Sequence, residues 1–239
     1  MEWIRRLDLP SLCMLDGRLN ALRNVTEVEL VNIPYLTSCV FVGAFKRVAK
    51  LTMEGASKLE ETPELREVKA RQEREEAERR AAEEASKHQF LLTQNHPLTL
   101  PNNTIGVLVV SNGCKRWSLG SFDLSGVTYL KELRIGDECF NSVSEFKLIG
   151  LKYLESVVIG QKSFSASEKG ENYNRRFYVK NCPRLKTLNI GYRSFSDYKV
   201  CEIESVDVLE SLRIGDNSRY SNNFYWASLE LRSVFDVMK

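Results

Sequence analysis

An internal repeat is the feature of this sequence that most restricts its fold. Four stretches share one spacing, in which a leucine is followed three residues later by Leu or Val and five residues later by Ile-Gly. Their apolar positions are Leu130/Leu133/Ile135, Leu154/Val157/Ile159, Leu185/Leu188/Ile190 and Leu209/Leu212/Ile214. The final Ile recurs after steps of 24, 31 and 24 residues. Self-similarity at this period predicts supersecondary repeats that stack on one another.

Looser copies of the same frame, without the Ile-Gly dipeptide, lie upstream. Their positions are Ile4/Leu7/Leu9, Val25/Val28/Leu30, Val48/Leu51/Met53 and Ile105/Leu108/Val110. Over all eight copies the last position advances by 21, 23, 57, 25, 24, 31 and 24 residues, a period of about 24 with two long steps. The long steps predict two insertions, one near residues 57–87 and a smaller one near residues 165–176.

A second short apolar pattern begins eight residues before each clear frame. It reads Phe122-Asp-Leu124, Phe146-Lys-Leu148, Phe177-Tyr-Val179 and, more weakly, Cys201-Glu-Ile203. Period two places alternate side chains on opposite faces of a strand. Each repeat is therefore predicted to hold two short strands separated by turns. Such a repeat buries its apolar face only against its neighbours in a stack.

The residues after each frame predict a tight corner. Glycine follows the second strand at positions 136, 160, 191 and 215, and we expect it there for its access to positive φ. The next aromatic residue, Phe140, Phe164 or Phe195, is predicted to fold inward and fill the corner. In the fourth copy, Tyr220 or Phe224 is the nearest substitute.

The repeated L-x-x-L-x-I frame resembles the leucine-rich repeat proteins. The Ile-Gly-x-x-Ser-Phe stretches with Cys182-Pro-x-Leu185 are most similar to the bacterial-surface-type (BspA-like) repeats, which also occur in microbial eukaryotes. The resemblance covers residues 105–237 well and residues 3–59 loosely. Leucine-rich repeats of the familiar types place Asn or Cys three residues after the last frame position, whereas the first three clear copies here have Glu138, Lys162 and Arg193. The resemblance implies a curved solenoid with a binding role.

The predicted fold is a repeat β-solenoid of leucine-rich-repeat type, mostly β, with an inserted charged α-helix. Residues 1–56 are expected to form divergent repeats, residues 57–89 the charged helix, and residues 90–239 the regular repeats of one solenoid continuous with 1–56. At the C-terminal end, Leu229, Leu231, Val234 and Val237 resemble the start of another repeat without a polar cap. We therefore expect an exposed strand edge there.

The inserted segment 57–87 carries several helix signals. Ser57 and Glu60 fit a capping box, and Thr62-Pro63 fits an N-cap with proline at the first helical position. After Val68 its only apolar residues are alanines, which is poor for a coiled coil. Two interpretations stay open: a solvated projecting helix, or one that docks on a partner or pairs weakly with a second copy. Leu59, Leu65 and Val68 could anchor its base, and both insertions are expected at the same corner.

The sequence offers no candidate for catalysis, a cofactor or a metal. His88 and His96 lack further ligands at metal spacing, and no phosphate-binding glycine loop or nucleophile elbow occurs. Six scattered cysteines are predicted to be free buried thiols. A net charge of +2 gives no general attraction to nucleic acid, and no apolar run spans a membrane. The N-terminus lacks a signal peptide, which favours the cytoplasm.

The predicted function is a non-catalytic protein-binding or scaffold module, with ligand and oligomeric state unspecified. The alternative is a structural component of a larger assembly, with the charged helix as a spacer or tether. Specificity is expected from residues that vary between repeats and face solvent. The candidate protein-binding residues are Arg134, Val158, Asn189 and Arg213 in the second strands, with Arg175 and Arg176 beside the smaller insertion.

Overall fold

The chain folds mainly into parallel β-sheets with one helix. The computed structural model describes residues 6–7, 14–17, 26–35, 38–41, 48–55, 63–95, 103–115, 119–166, 174–216, 218 and 220–232. The chain divides into two compact units, Met1–Arg80 and Ala81–Lys239, which we call the first and second units. The division falls within the helix, and a solenoid continuous across the whole chain stays a prediction.

In the first unit, the described strands form two small parallel sheets. Strands β1 (Arg6–Leu7), β3 (Glu27–Val31) and β5 (Lys50–Glu54) form one, and β2 (Met14–Gly17) pairs with β4 (Ser38–Phe41) in the other. Leu7 pairs with Leu30, and Leu30 with Met53. The predicted register of the first copy is therefore wrong by two residues, because Leu7 rather than Leu9 occupies the last position of the frame.

Helix α1 (Pro63–Ser86) begins at the predicted proline. It ends at Ser86, and Leu59 lies outside the described residues. The predicted anchors Leu65 and Val68 are buried in the first unit, and Ala82 and Ala85 are buried in the second. The guanidinium of Arg71 donates to the carbonyl oxygen of Val48. Side-chain burial thus supplements the helix propensity of this charged sequence.

In the second unit, the chain builds two parallel sheets. The six-stranded sheet contains β6 (Gln89–Leu92), β7 (Val107–Val110), β9 (Glu132–Ile135), β11 (Ser156–Ile159), β13 (Thr187–Ile190) and β15 (Ser211–Ile214). The five-stranded sheet contains β8 (Ser121–Asp123), β10 (Glu145–Ile149), β12 (Arg176–Lys180), β14 (Val200–Glu204) and β16 (Ser228–Arg232). From β7 onward the chain alternates between the two sheets, and every strand pairs with the equivalent strand of the next repeat.

The predicted frame sets the register of the six-stranded sheet. Ile135 pairs with Val110 and with Ile159, and the series continues through Ile190 to Ile214. The middle residues of the frame are likewise paired along the sheet. Alternate burial along β9, β11 and β13 fits strands with one face in the core. The two short strands predicted for each clear frame are thus present in the described residues between 105 and 214, and their stacking as a repeat solenoid stays a prediction.

One hydrophobic core lies between the two sheets, and two columns of phenylalanines run through it. In the first column, the rings of Phe146 and Phe177 stack with centroids 5.0 Å apart. In the second, Phe164 stacks on Phe195 at 4.7 Å, and Phe195 on Phe224 at 5.3 Å. The columns meet edge to face, a favourable arrangement for aromatic rings. The inward corner aromatics are confirmed, and Phe224 serves the fourth copy.

Candidate functional site

Four predicted residues form one row across the six-stranded sheet. Arg134 pairs with Val158, Val158 with Asn189, and Asn189 with Arg213. Adjacent strands lie about 4.8 Å apart, so the row extends for roughly 15 Å. The side chain of Val158 is 38% exposed, although it lies in a central strand. The sheet therefore displays side chains that differ between repeats at a fixed spacing.

Apolar side chains extend this row at the β6 end of the same sheet. Leu91 is 48% exposed and pairs with Val109, which in turn pairs with Arg134. The Nε atom of Arg134 lies 2.6 Å from Oε1 of Glu132 in the same strand. We call this surface the row face and define it by Leu91, Val109, Arg134, Val158, Asn189 and Arg213. It combines arginine with apolar side chains, a composition enriched in protein interfaces.

The five-stranded sheet presents a different surface, on which charges pair with each other. Nζ of Lys147 lies 2.9 Å from Glu145 and 4.0 Å from Asp123. Nζ of Lys180 lies 2.5 Å from Glu202, and this hydrogen bond raises the pKa of the lysine. A partner that binds here would have to desolvate these ion pairs, which costs free energy. Charge pairing therefore makes this face a weaker candidate.

The structure separates the two predicted arginines beside the smaller insertion. Arg176 begins β12 on the five-stranded sheet, where it is exposed and donates to the hydroxyl of Tyr178 at 3.3 Å. Arg175 is only 1% exposed. The prediction that Arg175 contacts a partner is wrong, because its buried guanidinium forms an ion pair and hydrogen bonds inside the protein. Arg176 is accessible but does not belong to the row face.

The Arg175 side chain lies at the centre of a buried polar cluster. Its Nη1 atom is 2.5 Å from Oδ2 of Asp197, which is also fully buried. Its remaining donors bind the carbonyl oxygens of Asn141 and Val143. The hydroxyl of Tyr198 also donates to Val143 O, at 2.7 Å, and burial raises the pKa of this tyrosine. The cluster ties the residue before β12 to two other repeats.

In the corners after β9, β11 and β13, the residues with positive φ are not the ones predicted. Gly136, Gly160 and Gly191 do not have positive φ. They are required because neighbouring corners approach closely: a Cβ on Gly160 would lie 2.6 Å from the carbonyl carbon of Gly136. Of the four predicted corner glycines, only Gly215 adopts positive φ, at 71°.

The left-handed positions of these corners are occupied by larger residues. Glu138, Lys162 and Arg193 have φ between 52° and 56°, and the phenylalanine two residues later is left-handed in each corner. The two left-handed residues turn the phenylalanine into the core, while the charged side chain before it is directed to solvent.

A ladder of polar side chains connects the corners, and sequence reasoning missed it. Ser163 Oγ donates to Gly136 O at 2.8 Å and accepts from the amide of Cys139 at 3.1 Å. Ser194 Oγ makes the same pair of bonds to Gly160 O and Ser163 N. The signal was the residue before each corner phenylalanine, which is small or polar in every copy. We call these residues the corner ladder: Cys139, Ser163, Ser194 and Asn223.

Beside the corner ladder, a cleft opens on the protein surface. It has a volume of about 290 Å³ and is lined by Glu138, Asn141, Lys162, Ser165, Ala166, Arg193 and Ser196. We call it the corner cleft. Its shape is fixed by Ser165, whose Oγ donates to Arg193 O at 2.8 Å and accepts from the amide of Ser196 at 3.0 Å. The smaller insertion begins at this point of the chain.

The buried polar atoms without a hydrogen-bond partner concentrate at the corner cleft. Among the described residues these atoms are Asn141 Oδ1, Ser196 Oγ and Asp197 Oδ1. Two of the three belong to residues that line the cleft. At its rim, Lys162 Nζ lies 4.0 Å from Glu138 Oε1, and the Arg193 Nε donates to Tyr220 O. Within the described part of the chain, the rim therefore carries two cations and one carboxylate.

The prediction that both insertions leave from one corner concerns where each insertion starts. The smaller insertion follows the carboxyl end of β11. The first insertion follows β5, which ends at Glu54, but its start at 56–62 lies outside the described residues. Helix α1 ends at Ser86, just before the amino end of β6. The shared corner therefore stays a prediction.

The described residues contain little that could support redox or metal chemistry. They include no group of three His, Cys, Asp or Glu side chains that could hold a metal ion. His88 is exposed and its Nδ1 lies 3.0 Å from Glu84 O; His96 lies outside the described residues. The free thiols of Cys114, Cys139, Cys182 and Cys201 are buried as predicted, whereas the side chains of Cys13 and Cys39 lie outside the described part. Burial raises the pKa of Cys139 and Cys182 to about 11 and that of Cys201 to about 12.

Comparison with known proteins leaves the family of the chain open. No protein-family model, no curated protein and no solved structure matches it. Within the described part of the chain, no helix combines the length and apolar character that a membrane crossing requires.

Proposed function

We propose that the second unit is a leucine-rich-repeat-like β-solenoid and that the protein is a non-catalytic protein-binding module. The in-register parallel pairing of equivalent strands every 24–31 residues supports the solenoid interpretation. The difference between the two sheet faces supports the binding role. Stacked repeats hold the side chains of the row face on a rigid backbone, which reduces the entropy lost on binding.

The row face is the observation that carries this proposal. The five-stranded face carries paired charges, whereas the row face places exposed Leu91 and Val158 beside Arg213 and beside Arg134, whose guanidinium pairs with Glu132. Arginine accounts for many of the strongest contacts in protein interfaces, and Leu and Val more often supply the surrounding apolar contact. The expected ligand is thus a protein surface with apolar contacts and at least one carboxylate.

A photo-crosslinking experiment tests the proposal. A benzophenone amino acid replaces Val158 on the row face or, as the matched control, Tyr178 on the five-stranded face. We expect the Val158 probe to capture a defined protein, and Arg134→Glu with Arg213→Glu to abolish this capture. The control Arg176→Glu should leave capture unchanged. Equal capture from both faces, or capture that survives the row-face substitutions, would rule the row face out.

A second candidate function is a structural component of a larger assembly. The apolar side chains of the edge strands favour it, since Leu229 and Leu231 in β16 are each 56% exposed. Light scattering after size-exclusion chromatography distinguishes the two functions. A binding module is expected to stay monomeric at micromolar concentration, whereas an assembly component is expected to form larger species.

A further inference from the structure

The corner cleft has the features of a site that a ligand completes. Ser196 is only 5% exposed and lines the cleft, yet its hydroxyl has no hydrogen-bond partner. The amide oxygen of Asn141, which lines the same cleft, is also unsatisfied. A polar atom that is buried without a partner carries a free-energy penalty, because it has lost its hydrogen bonds to water. A ligand that supplies hydrogen-bond donors at these two atoms would recover this free energy.

The charges at the rim restrict what the ligand can be. Among the described residues of the rim, Lys162 and Arg193 carry positive charges and Glu138 a negative charge, an excess of one positive charge. A free cation would be repelled by this excess. A phosphate group would be attracted to it, but its ionised oxygens only accept hydrogen bonds and would oppose the acceptor oxygen of Asn141.

A ligand that satisfies both conditions carries one carboxylate and a nearby N–H donor. An Asp or Glu residue within an extended peptide has this combination, because its backbone amide lies within a few bonds of its carboxylate. The cleft volume of about 290 Å³ accommodates one or two residues and is at the lower end for small-molecule sites. The size thus also favours one acidic side chain with its backbone.

We infer that the corner cleft binds an acidic residue of an extended segment of the partner protein. The carboxylate lies between Lys162 and Arg193, a backbone N–H of the segment donates to Asn141 Oδ1, and the hydroxyl of Ser196 bonds to the same segment. This inference rests on the proposed protein-binding function and adds a second contact, separate from the row face. It also identifies the chemistry that the partner must bring to this site.

The test is an NMR titration of the full chain with small probes. The probe is acetyl-Gly-Asp-Gly-amide, and the controls are acetyl-Gly-Asn-Gly-amide, sodium acetate and inorganic phosphate. We expect the aspartyl peptide to shift the amide signals of Lys162, Ser165, Arg193 and Ser196 in a saturable way. The asparaginyl peptide should bind at least about tenfold more weakly, since a charge-assisted hydrogen bond contributes about 1.5–3 kcal/mol.

The controls separate an acidic peptide from other ligands. Acetate that binds as tightly as the aspartyl peptide would show that the peptide N–H contributes nothing, and tighter binding of phosphate would show a simple anion site. Either result overturns the inference, as does the absence of saturable shifts at the cleft.

A matched pair of variants links the binding to the cleft. Lys162→Asn removes the charge, and asparagine tolerates the left-handed backbone of this position. We expect it to weaken binding of the aspartyl peptide at least about fivefold, whereas Arg176→Asn on the five-stranded face should have no effect. Unchanged binding in Lys162→Asn contradicts the inference. If the peptide does not bind but the Val158 probe still captures its partner, the inference about the corner cleft is overturned. The proposed function is then unaffected.

Discussion

At the scale of single residues, the buried pair of Arg175 and Asp197 is the interaction with the largest expected effect. Both side chains are buried, and the arginine also satisfies two carbonyl oxygens. Replacing Arg175 with Met leaves a buried carboxylate without its partner, which costs about 3–5 kcal/mol. We expect urea denaturation to show this loss for Arg175→Met.

The neighbouring arginine provides the control for this prediction. Arg176→Met removes a guanidinium from the exposed face of β12, and it should change the free energy of unfolding by less than about 0.5 kcal/mol. The double variant Arg175→Met/Asp197→Leu removes both charges and should be more stable than Arg175→Met alone. Equal stability of Arg175→Met and Arg176→Met would contradict the role of the buried pair.

The corner residues Gly160 and Lys162 should respond to substitution with opposite signs. A Cβ on Gly160 would lie within 3 Å of the backbone of the preceding corner, so Gly160→Ala should destabilise the protein. Lys162 has a φ of 52°, a region that costs non-glycine residues roughly 1 kcal/mol. Lys162→Gly should therefore be neutral or stabilising by up to about 1 kcal/mol. Thermal unfolding of both variants measures the difference, and a stabilising Gly160→Ala would refute the close-approach argument.

At the scale of elements, the corner ladder connects one repeat to the next. Ser163 accepts from the amide of Cys139 and donates to Gly136 O, so Ser163→Ala leaves two buried backbone groups without partners. The expected cost is about 1–3 kcal/mol. Ser211→Ala, at an exposed position of β15, is the control and should be close to neutral. Chemical denaturation provides the measurement; equal effects of the two substitutions would mean that the ladder adds no stability.

The elements also show how far the sequence alone could lead. The apolar frame predicted the strands because each buried face repeats a simple pattern, and Pro63 predicted the start of α1 because proline suits the first helical turn. The burial of Arg175 could not be predicted, since the equivalent positions before β10 and β14, Ser144 and Lys199, are half-buried and carry different side chains. The corner cleft was missed because its lining residues lie in three repeats and no single repeat contains the pattern.

At the scale of the whole molecule, the buried thiols predict a decline in stability at alkaline pH. Burial raises the pKa of Cys139 and Cys182 to about 11 and that of Cys201 to about 12. Above the ordinary thiol pKa of about 8.5, the unfolded chain loses protons that the folded chain retains, so stability falls as the pH rises. We expect an essentially constant contribution below pH 8 and a progressive loss between about pH 9 and pH 12.

A substitution separates this effect from that of the surface lysines. The pKa of Lys180 is also raised, by its hydrogen bond to Glu202, and its contribution is lost over a similar alkaline range. Cys201→Val keeps a small apolar side chain in the core but removes one titrating thiol. Its urea midpoint should fall less steeply with pH than that of the wild type. Identical slopes would attribute the decline to the lysines.

The constant register of the sheets has a consequence for how the chain is made. Each strand from β9 to β16 pairs with a partner that the ribosome synthesised only 24–31 residues earlier. A newly emerged strand therefore finds its pairing partner already synthesised, and none of these strand pairings has to wait for a distant part of the chain. We expect this part of the protein to fold during translation, one repeat at a time, starting with the repeat that is synthesised first.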